Sequence, residues 1–91
     1  MKYAIVKTTR FKKNLEKMLR RGKDIKKISR VVSMLARGES LPPHYKDHAL
    51  TGDLVGLRDC HVENDWLLIY RFEDDVLVLT LTDTGTHSDL F

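Results

Sequence analysis

Polar and apolar residues alternate weakly over Lys2–Lys7, KYAIVK, with β-branched side chains inside, and this pattern predicts a short opening strand. The period then changes. Phe11, Leu15, Met18 and Leu19 recur at helical spacing among lysines and arginines. Just before them Thr8 or Thr9 can cap the first turn, because a threonine oxygen accepts an orphan backbone N–H. Gly22 interrupts, Asp24 offers a second cap, and Ile25, Ile28, Val32 and Leu35 form the next apolar stripe, with Val31 beside it. Arg37 in the last turn and Gly38 just beyond it suit a helix C-terminus. Two short helices joined by Arg21-Gly22-Lys23 predict an antiparallel hairpin with a basic outer face.

Leu41-Pro42-Pro43 stops helical continuation, since proline lacks the N–H and restricts its predecessor. Residues 44–53 read as an ordered loop with a turn at Gly52. Leu54–Val62 reads as a strand and Glu63-Asn64-Asp65 as a tight turn. Trp66–Phe72, WLLIYRF, is apolar on both faces, as a central strand would be. Glu73-Asp74-Asp75 turns the chain, Val76–Thr82 makes another strand, and Asp83-Thr84-Gly85 closes it before a short tail, Thr86–Phe91. Short links between consecutive strands imply an antiparallel meander. The helical hairpin must then cover one face of the sheet, because neither layer buries its apolar side alone. The expected fold is a two-layer α+β domain spanning residues 1–91: an N-terminal strand, an antiparallel helical hairpin, then an antiparallel meander sheet. That length allows one modest core.

Composition narrows the class. At 42% hydrophobic and 32% charged, the chain is globular rather than disordered. No apolar run approaches the roughly 20 residues that cross a bilayer, and the N-terminus lacks a signal-peptide core, so no membrane partner is expected. The lone Cys60 excludes an internal disulfide framework and fits a reducing compartment; a cytoplasmic location is expected. The net charge of +3 conceals an asymmetry. Residues 1–38 carry thirteen Lys and Arg against Glu16 and Asp24, for +11, while residues 39–91 carry three against eleven acids, for −8. A field of that shape draws a polyanion to one side, and nucleic acid is the obvious one. A solvated lysine-rich face is the plainer explanation of the same charges.

The candidate chemistry lies between His44 and Trp66, which hold three of the four histidines, Lys46, Arg58 and four aspartates; His87 returns in TGTHSDLF. On the Leu54–Val62 strand Asp59 and His61 are two apart and share a face, while Arg58 points to the other. With the helices on one face, Asp59 and His61 belong on the open one, near Asp65 and Trp66. A carboxylate beside an imidazole prepares a general acid or base, although Asp–His neighbours on an exposed sheet are often ordinary surface polars. Metal-free RNA cleavage needs a base for the 2′-OH, an acid for the 5′-oxygen and cations for the phosphate. His48, His61, His87, Lys46 and Arg58 supply such groups. Phe91 can stack on a base or tuck into the core. His44 and His48 have i, i+4 spacing, but Pro42-Pro43 argues against a helix there, and no HExxH or cysteine-rich pattern occurs. Neither a metal nor a cofactor is expected. Cys60 faces away from Asp59 and His61 and should be buried.

YKDHAL, GLRDCHVENDWLLIY and TGTHSDLF together resemble the RelE/ParE superfamily of bacterial toxins, most closely its YafQ-type members, over essentially the whole chain. The resemblance implies a type II toxin that enters the ribosomal A site and cuts mRNA, leaving a 2′,3′-cyclic phosphate and a 5′-OH. By motif, the functional positions are His48, His61, Asp65, His87 and Phe91, with Asp59, Lys46 and Arg58 close by. His87 would be the general acid and His61 or Asp65 the base; His48 and Lys46 would steady the phosphate, and Phe91 would stack near the scissile nucleotide. The basic helices would hold ribosomal RNA. The implied partner is a cognate antitoxin, a small DNA-binding protein lying over the helices or the open sheet face, through which alone operator DNA would be reached. The alternative within the superfamily is a ParE-like, non-catalytic inhibitor of DNA gyrase, which needs no histidine cluster. A plain RNA-binding domain would rest on the basic helices alone.

Overall fold

The computed structural model describes residues 1–91. The elements are β1 (Ala4–Lys7), α1 (Thr9–Arg20), α2 (Ile25–Ala36), β2 (His48–Ala49), β3 (Arg58–Glu63), β4 (Trp66–Glu73), β5 (Val78–Gly85) and α3 (His87–Leu90), with 3-10 turns at Pro43–Tyr45 and Gly52–Leu54. The strands form one sheet in the order β1-β5-β4-β3-β2. Strands β2 to β5 are antiparallel neighbours, and β1 lies parallel to β5 at the edge, so the meander is part of a mixed sheet.

Both helices begin and end where local chemistry dictates. Thr8 Oγ1 accepts from Phe11 N at 3.0 Å, and Asp24 Oδ1 accepts from Lys26 N at 2.9 Å. Each helix closes with the paired bonds of a Schellman motif. Lys23 N donates to Met18 O and Gly22 N to Leu19 O; Glu39 N donates to Met34 O and Gly38 N to Leu35 O. That geometry needs a left-handed residue, supplied by Gly22 (φ 93°) and Gly38 (φ 77°). The buried faces, Phe11 and Met18 on α1 with Ile28, Val31 and Leu35 on α2, pack on Cys60, Val62, Trp66, Leu68, Tyr70, Leu79 and Leu81 of the sheet. Each fully buried large aliphatic side chain there contributes about 1.5–3 kcal/mol.

Strand ends depart from the sequence reading. β3 starts at Arg58 rather than Leu54, because Gly52–Leu54 winds into a 3-10 turn and Gly56 takes φ 94°. β5 starts at Val78 because Leu77 turns with φ 52°, leaving Val76 and Leu77 exposed. Asp83-Thr84-Gly85 does not close that strand but continues it, past a register shift opposite Ile69 and Tyr70. The Thr82 carbonyl in this bulge accepts from Thr8 Oγ1 at 2.7 Å. The loop before β3 contains the two-residue strand β2, and the tail is the helical turn α3.

Candidate active site

Three segments bring the histidines together. On β3, Cys60 and Val62 enter the core, which leaves Asp59 and His61 on the face away from the helices. His48 of β2 pairs with Asp59 across the strands and so shares that face. His87 opens α3 behind a capping box, in which Thr86 Oγ1 accepts from Asp89 N at 3.2 Å and Asp89 Oδ2 accepts from Thr86 N at 2.9 Å. The His61 and His87 rings meet edge to face with centroids 5.5 Å apart.

Asp65, in the β3–β4 turn, fixes His87. Its Oδ1 accepts from the His87 backbone N–H at 2.8 Å and lies 2.6 Å from Nδ1. A carboxylate can only accept, so Nδ1 carries the hydrogen and Nε2 is left as the working nitrogen. The same two contacts, backbone first, hold the Asp65 carboxyl below the usual carboxylate range. Two further links set this geometry. Trp66 Nε1 donates to Thr84 Oγ1 (2.9 Å), whose hydroxyl donates to Leu67 O (2.6 Å), locking the start of β4 to the end of β5. Arg21, at the helical hairpin turn, donates to both oxygens of Asp89 at 2.8 and 3.4 Å, with Lys17 at 3.9 Å, which ties α3 to the helical layer.

His48 donates from Nδ1 to Lys46 O at 2.8 Å, and its Nε2 lies 4.0 Å from Asp59 Oδ2. Asp59 is only 4% exposed, so it sits beneath the imidazoles rather than at the surface where a substrate would touch it. Burial raises its carboxyl above the usual range, while His48, His61 and His87 pull it back. Phe91 is exposed and lies one helical turn after His87, its N–H donating to His87 O at 2.9 Å.

Arg58 is not brought to the histidines. It points to the helix side, where Asp47 takes its Nη2 at 3.1 Å and Tyr70 OH donates to the same carboxylate. It lines a cleft of about 480 Å³ there, with Tyr3, Leu35, Tyr70 and Phe72. The Lys46 side chain borders this cleft too, while its backbone carbonyl serves His48. His44 packs on Tyr45 in the 3-10 turn, away from the cluster. Cys60 is fully buried, which pushes its thiol far up. On the helices Arg10, Lys12, Lys13, Lys26 and Arg30 are exposed and have no acidic partner, whereas Lys23 and Lys27 grip Glu63 of β3. Sequence reasoning missed the Asp89–Arg21 tie and the Asp47–Arg58 pair. The first had a readable signal, the Thr86-x-x-Asp89 box; the second had none.

A family model described as bacterial toxin of type II toxin-antitoxin system, YafQ, matches residues 3–91. The mRNA interferase toxin YafQ of Escherichia coli K12 is 40% identical over 82 residues, covering 89% of this chain and 87% of that protein. The crystal structure of YafQ from E. coli BL21(DE3) superposes with TM-score 0.91 at 37% identity, covering 98% of each chain. A crystal structure of the E. coli DinJ-YafQ complex matches with TM-score 0.89 at 38% identity, again over 98% of each chain.

Proposed function

The chain belongs to the YafQ family of bacterial toxins of type II toxin–antitoxin systems, and we propose that it cuts message in the ribosomal A site by metal-independent acid–base catalysis. It is an mRNA interferase, an endoribonuclease, and its partner is a cognate antitoxin. Residues 1–91 act as one unit, in the cytoplasm where ribosomes are, and operator DNA is reached only through the antitoxin.

The observation that carries the chemistry is the His61–His87 pair, 5.5 Å apart, with Asp65 fixing the tautomer of His87. His61 takes the 2′-OH proton, the 2′-oxygen attacks phosphorus, and the bond to the 5′-oxygen breaks as His87 Nε2 protonates it, leaving a 2′,3′-cyclic phosphate and a 5′-OH. Of the two candidate bases, His61 is favoured over Asp65, because Asp65 already accepts two N–H groups from His87 and is held below the usual carboxylate range, which makes it a poor base. His48 faces the phosphate, and Phe91 stacks on the neighbouring base. The unpartnered cations of α1 and α2 lie on another face, suited to ribosomal RNA.

Primer extension on a reporter message in reconstituted translation, with and without ribosomes, tests this reading. Cuts are expected only with ribosomes, and none from a His87→Ala protein that keeps its circular dichroism spectrum. Stalled gyrase–DNA complexes with intact message would overturn it.

A further inference from the structure

Of the three clustered histidines, His48 has the weakest footing. It stands on β2, a two-residue strand at the sheet edge that pairs only with β3, and both side chains of β2 are exposed. His61, by contrast, is flanked on its strand by Cys60 and Val62 in the core, and His87 is held twice by Asp65. His48 nevertheless has a defined orientation. Its Nδ1 meets the Lys46 carbonyl at 2.8 Å, and a carbonyl can only accept, so the ring hydrogen sits on Nδ1 and Nε2 is the nitrogen left to meet a substrate.

That carbonyl is aimed by an uncommon backbone. Lys46 has φ 51° and ψ 40°, the left-handed region that a lysine seldom adopts. Its N–H is tied back to Pro43 O at 3.0 Å. The residue on its other side, Asp47, reaches through to the helix side, while His48 stays on the open face, as alternation along an extended chain requires. There the Asp47 carboxylate accepts from Arg58 Nη2 at 3.1 Å, from Arg58 Nε at 3.4 Å and from Tyr70 OH. Arg58 and Tyr70 are register partners on β3 and β4, and Tyr70 is fully buried, so the carboxylate is fastened across two strands into the core. Among residues 46–49 it is the only side chain hydrogen-bonded to another strand. A two-pronged, charge-assisted contact to arginine fixes direction as well as distance.

We propose that Asp47, Arg58 and Tyr70 are positioning residues, a clamp on the helix side that holds Lys46 left-handed, keeps its carbonyl on His48 Nδ1 and so presents His48 Nε2 to the scissile phosphate. Arg58 thus serves the site from the opposite face of the sheet without touching substrate. The phosphate rests on the nuclease reading above. The orientation of the ring does not, and it is measured without substrate.

The test is Asp47→Ala. The freed Arg58 and Tyr70 hydroxyl line an open cleft where water can solvate them. Imidazole nitrogen NMR, at a pH about two units above the ordinary histidine value of about 6.5, reads the neutral tautomer of His48. Wild type is expected to show Nδ1–H alone and the variant both tautomers. Single-turnover cleavage on programmed ribosomes is expected to fall about tenfold at saturating toxin, with the half-saturating concentration unchanged. An unaltered tautomer in Asp47→Ala would overturn the proposal whatever the rate does, and so would a changed tautomer with a wild-type rate. Asp74→Ala breaks a comparable contact, from Tyr3 OH, elsewhere in the fold. It should leave the His48 tautomer alone; an equal change there would mean that the ring follows general loosening, against the proposal. If the wild-type protein cleaves nothing, the nuclease reading falls and the NMR comparison alone decides this one. Should Asp47→Ala not fold, Arg58→Met removes the fork and leaves the Tyr70 contact; the same tautomer shift is expected, and its absence is the contrary result.

Discussion

Replacing Thr84 with valine probes the joint on which the candidate site hangs. The side chain is fully buried, and its oxygen both accepts the Trp66 indole N–H at 2.9 Å and donates to the Leu67 carbonyl at 2.6 Å. Valine preserves the branched shape and removes the oxygen, so the indole N–H is left without an acceptor in a fully buried position. Orphaning one buried polar partner costs about 1–3 kcal/mol. In a domain of this size each kcal/mol moves Tm by about 4–8 °C, so the melting point should fall by about 4 °C at the least and by as much as about 24 °C. Trp66 is the only tryptophan, which makes its fluorescence a local reporter of the same joint, to be followed beside circular dichroism during melting. Asp65 directly precedes Trp66, and His87 is three residues beyond Thr84. Cleavage well below the melting point should therefore fall as well, as the Asp65–His87 contact loosens. A Thr84→Val protein melting within about 2 °C of wild type, below the smallest change expected, would refute the assignment of Thr84 as a structural joint.

Arg21→Met removes the two-pronged contact with Asp89 at the hairpin turn. The melting temperature should hold while amide exchange over His87–Leu90 accelerates and cleavage declines; unchanged exchange would dismiss the tie. The Cys60 thiol, buried and pushed far up, should resist aromatic disulfide reagents in the native protein and react only at the rate of global unfolding. Fast labelling without denaturant would contradict that. Asp59 carries a pH signature of its own. Because its carboxyl is raised in the folded protein, the native state binds that proton more tightly than the unfolded chain, and stability drops as pH climbs from about 3.9 through the folded value. Asp59→Asn should therefore gain stability relative to wild type as pH rises from acid to 7, with the difference gone in acid. A variant less stable at pH 7 would show that the buried charge stabilises the fold.

The helices were legible because their signals are local: threonine and aspartate caps, apolar stripes and a glycine one step past each end all act within a turn. Trp66–Phe72 was legible for a similar reason, since a strand buried on both faces leaves an uninterrupted apolar run. Strand ends were not. Whether Leu54 or Val76 pairs depends on backbone turns at Gly56 and Leu77 that tertiary contacts impose. Alternation along β3 gave the side on which Asp59 and His61 lie, and Cys60 is buried opposite them as expected. It did not give depth, because β2 pairs alongside Asp59 and is only two residues long. Arg58 offered a free cation in sequence. Its capture by Asp47, eleven residues away, follows from a loop conformation in which Lys46 takes φ 51°.

The site is built in two halves of unequal firmness. His61 and Asp59 stand on β3, a strand whose alternate side chains, Cys60 and Val62, are anchored in the core. His87 stands on α3, a single turn far too short to persist alone. What holds it is a set of surface contacts, Asp65 to His87 and Arg21 to Asp89, on partly exposed side chains whose individual strength is modest and screened by salt. In the proposed reaction this places the proton acceptor on the rigid half and the proton donor on the adjustable one. Attack requires the 2′-OH to be met at one fixed distance, whereas the 5′-oxygen recedes as its bond to phosphorus breaks. A donor on a short, lightly tethered turn can follow that departing oxygen, and the capping box keeps the turn folded while it does so.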